Sequence, residues 1–271
     1  MTRKLLVSAL IAMSIGAPSL HAQPAAPAAA PASPPAQASA PASPSQPEAN
    51  PVDPDAIQAL KDMGAQLQSL KRFDVSIELT GERVLADGQK LQHTATASMQ
   101  IERPNRMRVA MRSARKEREL IYDGKTVTLY TPAQHFYSQV AFTEHLGDLI
   151  TQLKQKFGVE VPATDLFAWG TPAAPFDNIQ SAMLAGQDYI GNELCDLYAF
   201  RQGDLDWQVW ISASGKPLPH KLVITYRADE ARPQSVTLID WNLNPTFKDT
   251  TFTFVPPKGA REIPLVPLKR Q

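Results

Sequence analysis

One cysteine, Cys195, stands in 271 residues, so the chain can form no intramolecular disulfide and no Cys-rich zinc cluster. Net charge is equally lacking: 27 basic residues balance 27 acidic ones, and no overall positive field gathers nucleic acid or an anionic membrane onto the molecule. Histidine is sparse. His21, His93, His135, His145 and His220 are scattered, and no two have the spacing of metal ligands on one helix or strand face. Nucleophile elbows, phosphate loops, His-Glu-x-x-His strings and dinucleotide fingerprints do not occur. The pattern therefore predicts no catalytic residue, no metal site, no cofactor and no nucleic-acid partner.

Proline is what the chain has in excess, and it is unevenly placed: ten of its 24 prolines fall within residues 23–54. That stretch is nearly all Ala, Pro, Ser and Gln, with Val52 as its one large apolar residue. It cannot bury enough surface to offset the entropy of ordering, and its prolines favour extended conformations, so a disordered, semi-stiff Ala/Pro-rich tether is expected. Before it, Arg3 and Lys4 precede an apolar run at residues 5–17, and Ser19-Leu20-His21-Ala22 offers small residues for cleavage. This reads as a secretory signal peptide over residues 1–22. The run is about 13 residues long, where a spanning helix needs about 20, so no transmembrane segment is expected once the signal is removed.

Residues 55–271 read as a single folded domain. Asp53, Pro54 and Asp55 have the chemistry of a helix start, and Ile57, Leu60, Met63, Gly64, Leu67 and Leu70 then recur at three- and four-residue steps. At Phe73 the period changes to two, through Val75, Ile77 and Leu79. Alternating runs separated by Asp87-Gly88, Arg103-Pro104-Asn105, Asp123-Gly124 and Thr131-Pro132 predict an antiparallel meander. Leu146, Leu149, Ile150, Leu153 and Phe157 interrupt it at helical spacing before Gly158, and a short helix is expected over 163–169. Strands resume over 182–190, 194–201, 207–211, 221–226, 236–241 and 251–254. The fold class is α+β: a curved antiparallel sheet closing towards a half-barrel, covered by helices that leave room for a cavity.

Three groups of side chains are candidates for function. Trp169, Trp207, Trp210, Trp241 and Phe200, with Tyr189 and Tyr198, cluster in the second half of the chain, and either line a pocket for a lipid or other hydrophobic ligand or pack as plain core. Strand alternation puts Trp207, Val209 and Ile211 on one face and Trp210 on the other. Arg106, Arg108, Arg112, Arg115 and Arg118, with Arg103 and Lys116 nearby, form a dense basic patch that either docks a phosphate headgroup or an acidic envelope protein or is an exposed, charged hairpin. Cys195 reads as a buried structural thiol, since Asp196 beside it disfavours a thiolate. A hydrolytic site would require Asp123, Asp206 and His220 to converge.

Several strings occur together: Tyr122-Asp123-Gly124-Lys125 before Leu129-Tyr130, Asp206-Trp207-Gln208-Val209-Trp210-Ile211, Pro217-Leu218-Pro219 before Lys221-Leu222-Val223-Ile224, and Phe252-Thr253-Phe254-Val255-Pro256-Pro257-Lys258-Gly259-Ala260. With them the chain resembles a family of predicted periplasmic proteins of unknown function, domain of unknown function 2092, over about residues 55–263. More distantly, the terminal Phe-x-Phe-x-Pro-Pro-x-Gly-Ala pattern is similar to the LolA and LolB lipoprotein-localisation superfamily. That resemblance implies a half-barrel of about eleven strands, helices over its opening, a cavity for acyl chains and a periplasmic location. It supplies no catalytic residue. LolB-type members are lipoproteins, whereas this chain lacks a lipobox cysteine; LolA-type carriers are shorter and have no comparable tether. The function expected is non-enzymatic carriage of a hydrophobic ligand, with an envelope protein-interaction or sensing module of filled core as the alternative.

Overall fold

The computed structural model describes residues 51–268; the expected signal peptide and all but the last residues of the expected tether lie outside them. Helix α1 runs over Pro54–Ser69, β1 over Arg72–Val84, β2 over Lys90–Glu102, β3 over Arg106–Ser113, β4 over Glu117–Tyr122, β5 over Thr126–Thr131 and β6 over Phe136–Ala141. Helices α2 (Leu146–Phe157) and α3 (Asp165–Ala168) follow. Then come β7 (Ile179–Ile190), β8 (Glu193–Gln202), β9 (Leu205–Ser212), β10 (Pro219–Tyr226), β11 (Gln234–Asn242) and the two-residue β12 (Arg261–Glu262).

All twelve strands form one sheet in the order β12-β6-β5-β4-β3-β2-β1-β11-β10-β9-β8-β7. Two meanders, β1 to β6 and β7 to β11, are thus joined where β1 pairs antiparallel with β11, Val75 opposite Trp241 and Ile77 opposite Ile239. Period-two alternation then gives the sheet an inner face, carrying Phe73, Val75, Ile77, Met99, Ile101, Met107, Val109, Val209 and Ile211, all in one core cluster. The buried residues of α1 and α2 belong to that same cluster, so both helices cover the inner face.

Helix α1 begins as its sequence dictates. The Asp53 carboxylate accepts from the Asp55 N–H at 2.9 Å, and Pro54 occupies the first turn. Its entry is pinned to the sheet as well: Val52 bridges to Ala182, and the Asp53 N–H donates to the Ala182 carbonyl at 3.0 Å. Residues 51–53, which composition assigns to the tether, therefore already pair with β7. In α2 no side chain caps the N-terminus, while Leu146, Leu149, Ile150 and Leu153 are buried. Each such burial contributes about 2 kcal/mol. Since a cap contributes about 1 kcal/mol, packing and not capping holds α2 in place.

One expected strand is absent. Residues 251–254 form no ladder; they belong to a strap that leaves β11, crosses the outer face and ends as β12, which pairs parallel with β6. The alternation of Phe252 and Phe254 that suggests a strand has another cause. Phe252 is buried and meets Phe247 edge-on, while Phe254 packs on Tyr130 and Tyr137 at 5.5 and 5.2 Å. Those tyrosines face each other across β5 and β6 on the outer face.

Candidate ligand-binding site

A cleft of about 900 Å3 opens between the C-terminal end of α1, the β2–β3 turn, α2 and α3. Leu146, Ile150, Phe167, Ala168 and Pro104 supply apolar wall, and Gln68, Thr151 and Thr171 supply polar groups. Its frame is tied at several points. The Leu146 N–H donates to the Pro104 carbonyl at 3.2 Å, the Tyr122 hydroxyl donates to the Glu144 carbonyl at 2.6 Å, and Gln68 Nε2 donates to the Trp169 carbonyl at 2.7 Å.

Arg103 belongs to this cleft. Its backbone N–H donates to the Lys71 carbonyl at 2.8 Å, its Nη2 reaches the Leu67 carbonyl at 3.5 Å, and its guanidinium carbon lies 5.6 Å from the Phe167 ring centroid. Among the described residues no carboxylate pairs with it, and its buried Nε has no hydrogen-bond partner. Burial holds this guanidinium below the usual arginine value.

The five arginines of the expected patch do not all lie on one face of the sheet. Arg106 pairs with Glu102 at 3.7 Å, and Arg108 with Glu119 at 2.7 Å while donating to the Thr251 carbonyl at 3.2 Å under the strap. Arg112 and Arg115 are exposed. Arg118 sits opposite Met111 in the ladder, hence on the inner face, whereas Arg112 lies opposite Glu117 on the outer one. Alternation along β3 and β4 splits what the sequence shows as a run, and two of the five are already neutralised.

The aromatic candidates divide likewise. Phe200 stacks on Trp207 at 4.1 Å, Trp169 lies 5.9 Å from Trp207, and Phe176 meets Trp169 edge-on at 5.6 Å. Trp241 leans on Phe73 and donates to the Pro219 carbonyl at 2.8 Å. These four are core on the inner face. Trp210 is separated from them by the sheet: it lies opposite Leu197, donates to Asp188 at 2.8 Å, and carries Lys221 Nζ 4.3 Å over its ring. None of the five lines the 900 Å3 cleft.

A family described as predicted periplasmic protein (DUF2092) matches residues 56–266. The chain belongs to this family. No curated protein matches it. Among solved structures, LprF from Mycobacterium bovis is similar with 14% identity over 74% of this chain and 99% of that one, at a TM-score of 0.43. The Mycobacterium tuberculosis lipoprotein LppX is 11% identical over 73% and 100% of the two chains, at 0.41. A LolA superfamily protein from Nitrosomonas europaea is 14% identical over 73% and 97%, at 0.35. At such scores these likenesses carry no functional weight.

In this DUF2092 protein the groups considered for hydrolysis are each otherwise engaged. Asp123 accepts from the N–H groups of Lys125 and Thr126 in its turn, Asp206 is held by Arg201 at 2.7 Å and Arg227 at 3.7 Å, and His220 shares a hydrogen bond with Ser212 at 3.0 Å. Burial lowers the His220 pKa. Cys195 is fully buried, and burial pushes its thiol up to about 11, the environment of an unreactive sulfur. Sequence reasoning placed Arg103 only beside the basic run. Its distinguishing signal is position: Arg103 lies in the turn after β2, one residue past the last ladder pair with β1.

Proposed function

We propose that this protein is exported to the periplasm and holds a lipid-like, largely apolar ligand, without chemistry, in the cleft between a half-barrel sheet and its helical cover. The cleft carries this reading. Its volume of about 900 Å3 falls in the range of small-molecule sites, and its walls combine apolar side chains with a few polar groups. Arg3, Lys4 and the apolar run at residues 5–17 support export, as does membership of a family of predicted periplasmic proteins.

The test is displacement of a fluorescent fatty acid from the purified protein, repeated with Ala168→Trp, which places an indole in the cleft. The wild type binds the probe and the variant, equally folded by circular dichroism, loses it by tenfold or more. Absence of any bound probe, or equal binding by both, refutes the reading.

A second reading, an envelope protein-interaction module, draws on the sheet edges. β6 is capped by β12, but β7 is an edge strand whose described partner beyond β8 is only the bridge at Val52. Leu184 and Tyr189 on it are 53% and 72% exposed. An extended partner segment can add to such an edge. Slowed amide exchange at residues 184–190 on mixing with envelope extract supports it.

A further inference from the structure

Resting on the cleft reading above, we infer that the ligand carries a single anionic head, a carboxylate or phosphate on an apolar body, and that Arg103 receives that head. The guanidinium is the observation that points there. A buried cation normally has a carboxylate or phosphate partner, because removing it from water without one is unfavourable. Arg103 has a ring beneath it, one long contact to a carbonyl, an orphaned Nε and no counter-charge among the described residues. Its planar fork suits bidentate anion recognition.

The surroundings are biased the same way. Lys71, Lys154 and His145 line the cleft, and Asp148 is the one carboxylate among its described lining residues. The N-terminus of α2 also ends in the cleft: His145, Leu146, Gly147 and Asp148 all line it, and no side chain caps that terminus. Of those first amides, Leu146 is satisfied by the Pro104 carbonyl. The positive end of the helix thus reinforces the guanidinium, and Asp148 offsets part of it. Leu146, Ile150 and Phe167 lie beside these groups, so an apolar body attached to the head remains out of water.

Arg108, five residues further on, is the internal contrast. It is matched by Glu119 at 2.7 Å, as a structural arginine is. Arg103 is held in position by its backbone and its ring contact, yet has no charge partner among the described residues.

The experiment measures affinities of the full mature chain for four probes: dodecanoate, dodecyl phosphate, dodecanol and inorganic phosphate. Dodecanoate and dodecyl phosphate bind at least tenfold more tightly than dodecanol, the return expected of a charged hydrogen-bonded pair. In Arg103→Met that preference disappears while dodecanol binding stays within about twofold, and Arg103→Lys restores part of it. Equal affinity of the wild type for dodecanol and the charged amphiphiles overturns the inference and leaves the cleft reading standing. Competition by inorganic phosphate as strong as by dodecyl phosphate also overturns it, because the head would then act without the body. If none of the three amphiphiles binds, the cleft reading itself fails. The wild-type comparison needs no variant, so a misfolded Arg103→Met leaves the inference open to refutation.

Discussion

Two regions lie under the helical cover on the same face of the sheet, and they are built in opposite ways. Where the segment after α3 meets β8 and β9, Trp169, Trp207, Phe200 and Phe176 pack ring against ring, and α1 approaches that segment so closely that backbone touches backbone. A Cβ on Gly64 would stand 2.5 Å from the Gly170 nitrogen. Where α2 meets the β2–β3 turn, the same cover stands away and leaves the cleft with Arg103 in its wall. The large aromatic side chains, which suggest a binding pocket in the sequence, fill their space; the opening lies where the sequence offers helix ends, a proline turn and small residues. A pocket is what remains between elements whose side chains fail to meet. Residue type alone therefore does not tell a packed ring cluster from an opening.

Truncation should separate the two regions most sharply. Trp207→Ala removes the ring at the centre of the stack and is expected to cost about 3–5 kcal/mol, read as a fall in denaturant midpoint. Its indole N–H has no acceptor among the described residues, which lowers the net cost towards the smaller value. A loss under 1 kcal/mol would mean the packed region is as loose as the cleft. Gly64→Ala tests the backbone contact and should cost about 1–3 kcal/mol by overpacking, since all three near atoms are main chain. On the cleft side, Thr151→Ala removes an exposed hydroxyl that donates to the Gly147 carbonyl, and thermal melting should register no more than about 0.5 kcal/mol.

The smallest expected effect is a pH dependence behind the packed region. The hydrogen bonds from Arg201 hold the Asp206 carboxyl below the usual carboxylate range, with the nearby arginine charges adding to this. Its folded pKa is thus depressed, so its contribution is present above the ordinary aspartate value of about 3.9 and is lost as pH falls through the folded value. Melting temperatures of wild type and Asp206→Asn should differ most above about pH 5 and converge in acid. A gap that widens as pH falls would reverse the assignment. The pair is partly exposed, so solvent screening keeps the effect modest.

Much of the fold is legible residue by residue. Asp53 caps α1, Leu146, Leu149, Ile150 and Leu153 bury one face of α2, and the turn residues separate strands whose alternation decides that Trp207 and Trp210 face opposite ways. These follow from local rules with fixed periods, and a sequence carries its periods openly. Phe252 and Phe254 mislead for the same reason: alternation marks a chain lying on a surface, whether or not it has hydrogen-bonded neighbours.

The sequence by itself determined most of the elements, their buried faces and the buried setting of Cys195. Tertiary structure alone decided that β1 joins β11, that β12 caps one edge while β7 is left open, that the basic run is divided between two faces, and that Arg103 meets no carboxylate among the described residues. The physical reason is range. Propensity and alternation act over a few residues, but charge pairing and the fit of helices on a sheet depend on groups dozens of positions apart, and their partners exist only once the chain has folded.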